Sequence, residues 1–548
     1  MSKNRDRTLP DDVFIVSDLH LCSGLPKGRD RYPRLEAFFY DDVFSRFIDK
    51  IMEEQIRRAR RACLILGGDV FDFLTLTDLP NKAEAREMGI QVTRDARRFG
   101  LPSTPRNTEW KLRRIAKGHP VFFQSLGRFV ASGHRIVIVS GNHDAELYWS
   151  RVRETAAELI LTEAVKIRPD INPAQARERI EFRHWFYREK GRFYFEHGNQ
   201  YEASNSFRYN LCPLQPSGKG KPSKILDPPI GSLFARYIVN ETRKRSPYIV
   251  NMVSLEQYMG AMARMNLVEM IGVFVRRTPF FVKALQKAKL FEGNAWQEIR
   301  SRHCQNLERL AREENLPASA LKTVQHLRAM PDGMTKYHLA LSMLKPVLYK
   351  IAKYAVFALA AVFVWFAVFS LIQNTPWIAD SFLGKASLTA LLAMLTVLFA
   401  LVYLNRVASK IRQVTVGVTP EFFEKGRLIA RTMEVRHVIM GHTHVADLRR
   451  FPKTRGYYLN TGTWIATSGP SDLLWPNSRR YTFARLQGQD IELMRWNDQA
   501  DRFEKVPFIE EYQLSPMDVI FPDDPVRTQP PVQEQPTLDE ILDHIREE

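Results

Sequence analysis

The chain has 548 residues but only four cysteines, Cys22, Cys63, Cys212 and Cys304, and no CxxC pair. That scarcity excludes a disulfide framework and a thiolate zinc site, and it fits a reducing compartment. The N-terminal stretch MSKNRDRTLPDDVF lacks an apolar core, so no secretory signal peptide is read there. No internal repeat is present. Acidic residues are in deficit: 61 aspartates and glutamates face 79 lysines and arginines, a net charge of +18. Such an excess favours an anionic partner, whether nucleic acid, an acidic membrane surface or a phosphorylated substrate. What is present is otherwise ordinary. Apolar residues at 45% and charged residues at 26% rule out wholesale disorder and fibrous classes, and the length suits two to four domains with a sizeable core.

The charge is unevenly placed. Between Ala203 and Lys353 there are 24 lysines and arginines against 10 aspartates and glutamates, a net of +14. The expected division is one domain in two parts, 1–202 and 425–514, separated by a basic helical insertion, 203–345, and a membrane hairpin, 346–412. An acidic, proline-rich tail follows at 515–548, with the composition of a disordered segment. Within the hairpin, Ala355–Ile372 and Ala386–Leu404 are apolar runs of 18 and 19 residues, long enough to span a bilayer. Lys345, Lys350 and Lys353 precede the first run, and Arg406, Lys410 and Arg412 follow the second. The positive-inside rule then puts both flanks in the cytoplasm, as expected of a multi-pass inner-membrane protein. A second basic, apolar stretch, Leu267–Phe291, has the makeup either of a segment lying at an anionic membrane surface or of an ordinary basic helix packed on the rest of the protein.

The coarse pattern is α/β. Short β-branched runs end in glycine, aspartate or histidine: Val13–His20, Cys63–Asp69, Arg135–Asp144, Arg192–Gly198 and His437–His444. Helical stretches, notably Leu35–Arg61 and Asn107–Ser132, lie between them, so the strands are expected to be covered by helices on both faces. Each run ends in a potential metal ligand, where α/β proteins place their sites. Asp18-x-His20 and His442-x-His444 would put two side chains on one face of a strand end. Asp69, Asn142 and His197 close the other three runs. His119, His134, His184, His303, His326, His338, His437 and His544 lie outside these blocks or off the strand ends and are read as ordinary surface or core histidines.

The order DLH, GDxxD, GNHD, EHG, GHTH resembles the calcineurin-like metallophosphoesterases, across Asp12–Glu202 and Arg436–Trp496. The resemblance implies a β-sandwich flanked by helices and two divalent ions. It places one ion on Asp18, His20, Asp69 and His444, and the other on Asp69, Asn142, His197 and His442. His143 would be the catalytic histidine that is not a ligand, and Asp72 would orient it. Imidazole, carboxylate and amide donors without thiolate suit manganese, iron or zinc. Two charged ligands against two divalent ions leave about two units of positive charge to draw in a phosphate, and two metals can activate water and stabilise both oxygens of the displacement. The leaving oxygen needs a proton, which an imidazole supplies near neutral pH.

The expected activity is therefore hydrolysis of a phosphate ester or pyrophosphate, with a lipid-linked substrate leading. The UDP-2,3-diacylglucosamine pyrophosphatases of lipid A synthesis are similar in the DLH, GD and GHTH blocks and in a helical lid inserted after the EHG-type motif. They differ in carrying arginine where this chain has His143, and their lid is far shorter. The alternatives are a tethered phosphodiesterase or nuclease on a soluble substrate, and a membrane scaffold without chemistry. The interleaved aromatics of a single-strand binder are missing, which disfavours nucleic acid. Since the motif residues flank the apolar runs, one site can form only if the chain crosses the membrane an even number of times.

Overall fold

The computed structural model describes residues 12–26, 28, 31–217, 222–240, 296–331, 420–465 and 481–506, with 282, 365, 366 and 370 as isolated positions. The chain divides into two compact units, one formed by Met1–Leu255, Arg277–Lys336 and Val418–Glu548, the other by Glu256–Arg276 and Tyr337–Gly417. The second unit lies almost wholly outside the described residues, as do the two apolar runs apart from Trp365, Phe366 and Ser370, and the acidic tail. Among the described residues, no helix is long and apolar enough to cross a membrane.

The first unit is mixed α/β. Its strands are β1 Asp12–Val16, β2 Ala62–Gly67, β3 Arg135–Val139, β4 Ile180–Arg183, β5 Phe186–Glu189, β6 Phe193–Glu196, β7 Leu214–Pro216, β8 Pro222–Leu226, β9 His437–Met440, β10 Asp447–Arg450, β11 Tyr457–Asn460, β12 Thr482–Gln487, β13 Asp490–Asn497 and β14 Arg502–Lys505. One sheet runs β14-β13-β12-β1-β2-β3-β4, a second β10-β11-β9-β6-β5, and β7 pairs with β8. Strands β1 to β4 are parallel to one another, as are β6, β9 and β11, while β5, β10, β12, β13 and β14 pair antiparallel with their neighbours.

The period-two side-chain alternation of the strands decides the layering. Val13, Ile15, Cys63, Ile65, Val137 and Val139 pack against Phe193, Phe195, Ile439 and Leu459 of the second sheet. The alternate residues Phe14, Val16, Leu64, Leu66, Ile136 and Ile138 face helices Asp41–Arg58, Pro120–Ala131 and Ser150–Ile167. On the far side, Tyr194, Val438, Met440 and Tyr458 meet Leu307, Leu321 and Ile429 from helices Gln297–Glu313, Ala318–His326 and Pro420–Thr432. Four layers result, and this corrects the expectation of helices on both faces: one face of each sheet is covered by the other sheet. An apolar strand reads the same in sequence whether a helix or a sheet covers it.

Other boundaries shift for local reasons. The helical stretch Asn107–Ser132 is two helices, Pro105–Gly118 and Pro120–Ala131. Pro120 lacks the N–H needed to continue the first and starts the second at its first position. Part of the basic insertion belongs to the same compact body as the sandwich, with helix Ile230–Phe234 continuing into one wide turn, Ala235–Val239.

Candidate metal centre

The strands stop short of the motif residues. β1 ends at Val16, β2 at Gly67, β3 at Val139, β6 at Glu196 and β9 at Met440, so every candidate ligand sits one to three positions or more past a strand. Strand alternation therefore does not pair Asp18 with His20 or His442 with His444, contrary to the expectation above. Left-handed backbone does: φ is 56° at Asp18, 53° at His20, 51° at Asp69, 70° at His442 and 59° at His444. Non-glycine residues seldom hold such angles, and where they do, at a cost of about 1–3 kcal/mol each, they cluster at functional sites.

The loops interlock at the carboxyl ends of the parallel strands of both sheets. Asp18 N donates to Gly68 O (3.1 Å), His20 N to Asp69 O (2.8 Å) and Gly441 N to His197 O (2.9 Å). Glycine is required where they touch. A Cβ on Gly141 would lie 2.2 Å from Asp69 Oδ1, and one on Gly441 would lie 2.3 Å from Ser17 Oγ.

This frame aims one atom of each ligand at a common point. Asp18 Oδ2 accepts from His442 N (3.0 Å) and from Ser17 Oγ, leaving Oδ1 buried with no hydrogen-bond donor. Asp69 Oδ1 accepts from His143 N (2.8 Å), leaving Oδ2 at 3.3 Å from His197 Nε2 and 3.8 Å from His20 Nε2. His197 Nδ1 faces the Gly67 carbonyl at 3.1 Å, and His20 Nδ1 faces Asp72 Oδ2 at 3.3 Å. Both partners only accept, so the protons sit on Nδ1 and the Nε2 lone pairs point inward. His20 Nε2 lies 3.3 Å from His444 Nε2, and His444 Nε2 lies 3.2 Å from Asp18 Oδ1. Asn142 Oδ1 is also buried without a partner.

These residues fit cations. Asp18, His20 and His444 form one group of donor atoms within 4.8 Å of one another, and Asp69, His197 and His442 form another. Asp69 stands between them by its contact with His20. Lone pairs crowded together in a buried space repel unless a positive charge separates them. The field asks for one: burial opposes charge on His197, yet Asp69 and Asp18 overcome it and raise its pKa to about 10.

His143 is placed beside the pair. His20, Asp69 and His143 form a third group within the same distance, but His143 Nδ1 is held by Asp72 Oδ1 at 3.0 Å. Asp72 is fixed in turn by Thr75 N (2.8 Å) and Thr75 Oγ1 (2.7 Å), and it also holds His20, a second task beyond the one expected of it. Burial works against ionising Asp72, but His143 and His20 outweigh it and keep the carboxyl well below its usual range. Burial likewise disfavours a charged His143, yet Asp72 and Asp69 raise its pKa to about 9. A nearby divalent cation would pull that value back toward neutrality.

A small cleft of about 80 Å³ opens on this centre, lined by His20, Asp69, Asn142, His143, His442 and His444 on one side. Phe234, Ala235, Val239 and Asn240 of the insertion line the other, with Asn205 and Ile465. Sequence reading missed these wall residues, which carry no motif. It also missed Asp144, the last letter of GNHD, which accepts from Gly141 N (2.6 Å) and Val70 N (2.8 Å) and so ties two ligand loops together. Glu202, which faces His442, was missed as well. Among the described residues, histidines outside the blocks are engaged elsewhere: His134 Nδ1 accepts from Ala62 N, His303 Nδ1 accepts from Leu211 N, and His437 Nε2 donates to Gln489 O, while His338 and His544 lie outside the described residues. In comparisons with known proteins, no family profile, no curated protein and no solved structure matched the chain.

Proposed function

We propose that this chain is a two-metal phosphoesterase of the calcineurin-like type, hydrolysing a phosphate ester or pyrophosphate. One observation supports it above the rest: lone pairs of His20 and His197 and free oxygens of Asp18 and Asp69 converge on one buried point, each locked from behind by a hydrogen bond. Asp18, His20, Asp69 and His444 would hold one ion, and Asp69, Asn142, His197 and His442 the other, with manganese favoured over iron or zinc. Bound there, the ions supply Lewis acidity and charge neutralisation for phosphoryl transfer to water.

The chain's own residues do the rest. His143 keeps a proton on the cleft side of its ring and passes it to the leaving oxygen. Asp72 fixes the ring by its 3.0 Å contact with Nδ1. Phe234, Ala235, Val239 and Ile465 present an apolar wall to the part of the substrate beyond the phosphate. That wall favours a lipid-linked phosphate or pyrophosphate over nucleic acid, which demands basic side chains along its track. The apolar runs 355–372 and 386–404 would then hold the catalytic body at the cytoplasmic face of the inner membrane.

Metal analysis of the purified full chain, paired with manganese-dependent hydrolysis of a chromogenic phosphodiester, tests the reading. Two equivalents of metal and turnover are expected; a folded chain that takes up no ion would end it. Deleting Ala355–Leu404 should release active protein into the soluble fraction, and full-length protein that is soluble without detergent would remove the membrane attachment.

A further inference from the structure

We infer that Glu202 is the positioning residue for His442, and that it works from a turn anchored to the insertion. This rests on the metal centre proposed above. His442 Nε2 lies 2.7 Å from Glu202 Oε2. A carboxylate only accepts, so Nε2 carries the proton and the lone pair is left on Nδ1; His442 belongs to the group formed with Asp69 and His197. His197 has its rear nitrogen on the Gly67 carbonyl and His20 has its own on Asp72, each partner coming from another segment of the chain, and His442 calls for the same support. Glu202 supplies it from a distant segment.

The carboxylate is itself aimed. Ser204 Oγ donates to Oε1 (3.0 Å) and Asn205 Nδ2 donates to Oε2 (2.8 Å). Asn199 Nδ2 closes the turn on the Asn205 carbonyl at 2.9 Å. Gly231 N, in the helix that walls the cleft, donates to Ser204 O at 2.7 Å. A Cβ on Gly231 would lie 2.4 Å from Asn205 Oδ1, so the helix seats directly on this turn. The insertion thus sets Ser204 and Asn205, these set Glu202, and Glu202 sets the tautomer and aim of His442. Partners of this kind are worth about 10–100-fold in metal affinity.

Calorimetric titration of the full chain with Mn²⁺, after chelation and with thermal midpoints recorded, tests the assignment. In Glu202→Gln one of two ions should bind about 10–100-fold more weakly, the other should keep its affinity, and the chelated protein's midpoint should stay near wild type. Ser204→Ala keeps both His442 and Glu202 and should weaken the same ion by less than about 10-fold, which covers the case of a misfolded Glu202→Gln. Wild type loading two ions while these variants bind both ions as tightly would overturn the role of Glu202 alone. Wild type binding no Mn²⁺ would overturn the metal centre, and this role with it.

Discussion

Two buried histidine–carboxylate clusters in the same compact unit use the same side chains to opposite effect. At His119, Nδ1 lies 2.9 Å from Asp41 Oδ2 and Nε2 lies 3.4 Å from Glu36 Oε2, so a proton on each ring nitrogen completes the pairing. At the candidate metal centre, protons already sit on the rear nitrogens of His20 and His197, and the front ones face carboxylates and one another. The first cluster is closed by protons. The second gathers two carboxylates, Asp18 and Asp69, with four imidazoles in two adjoining groups, an arrangement that a cation with several open positions would satisfy. A buried histidine beside an acid therefore says little alone; the side from which its second nitrogen is held says much more.

Asp69→Asn breaks this comparison most severely. It removes the carboxylate standing between the two groups, and with it the Lewis acidity worth several kcal/mol at each ion, so turnover should fall about 10⁴-fold or more. Metal content measured on the folded variant should fall with it. Near wild-type turnover would show that the convergence of lone pairs is not the engine. His143→Gln should be milder in binding and still severe in rate, with both ions retained and kcat lowered about 10²–10⁴-fold. Loss of the ions in that variant would make His143 a ligand instead, as its distance from His20 and Asp69 also permits.

Much of this was legible in the sequence, and the reasons are specific. The five motif blocks named residues that the structure brings together, because aspartates and histidines at the ends of short apolar runs stand out in a sequence whatever their backbone does. Gly141 and Gly441 belong to those blocks since a Cβ at either would strike a neighbouring loop. What the motifs did not carry was the mechanism of convergence. Left-handed backbone at Asp18 and His442 leaves no periodic trace, and two residues apart looked like strand alternation. Nor could the apolar strands announce whether Val13 and Ile15 would meet a helix or a second sheet. The wall of the cleft was unreadable for another reason: Phe234 and Val239 are plain apolar residues whose role comes only from where the insertion folds back. His119 was read as an ordinary histidine, and the structure gives it a buried ion-paired place away from the centre.

The smallest expected effect sharpens the other side of the comparison. Burial opposes the charged form of His119, but its contacts with Asp41 and Glu36 outweigh that and raise its pKa to about 9. A group whose folded pKa lies above its unfolded value of about 6.5 stabilises fully below that value and loses its contribution as pH climbs through the folded pKa. Two and a half pH units set a ceiling of about 3 kcal/mol for the linkage. His119→Gln removes the titrating group while leaving the candidate metal ligands untouched. Urea unfolding of both proteins should therefore show a stability gap that is widest near pH 6 and narrows by up to about 3 kcal/mol toward pH 9.5. Mn²⁺ should raise the stability of wild type and variant equally, because the ions proposed above would sit at the other cluster. A gap that stays constant with pH would mean that folding does not shift the pKa of His119. The two clusters would then no longer differ in being closed by protons on one side and by cations on the other.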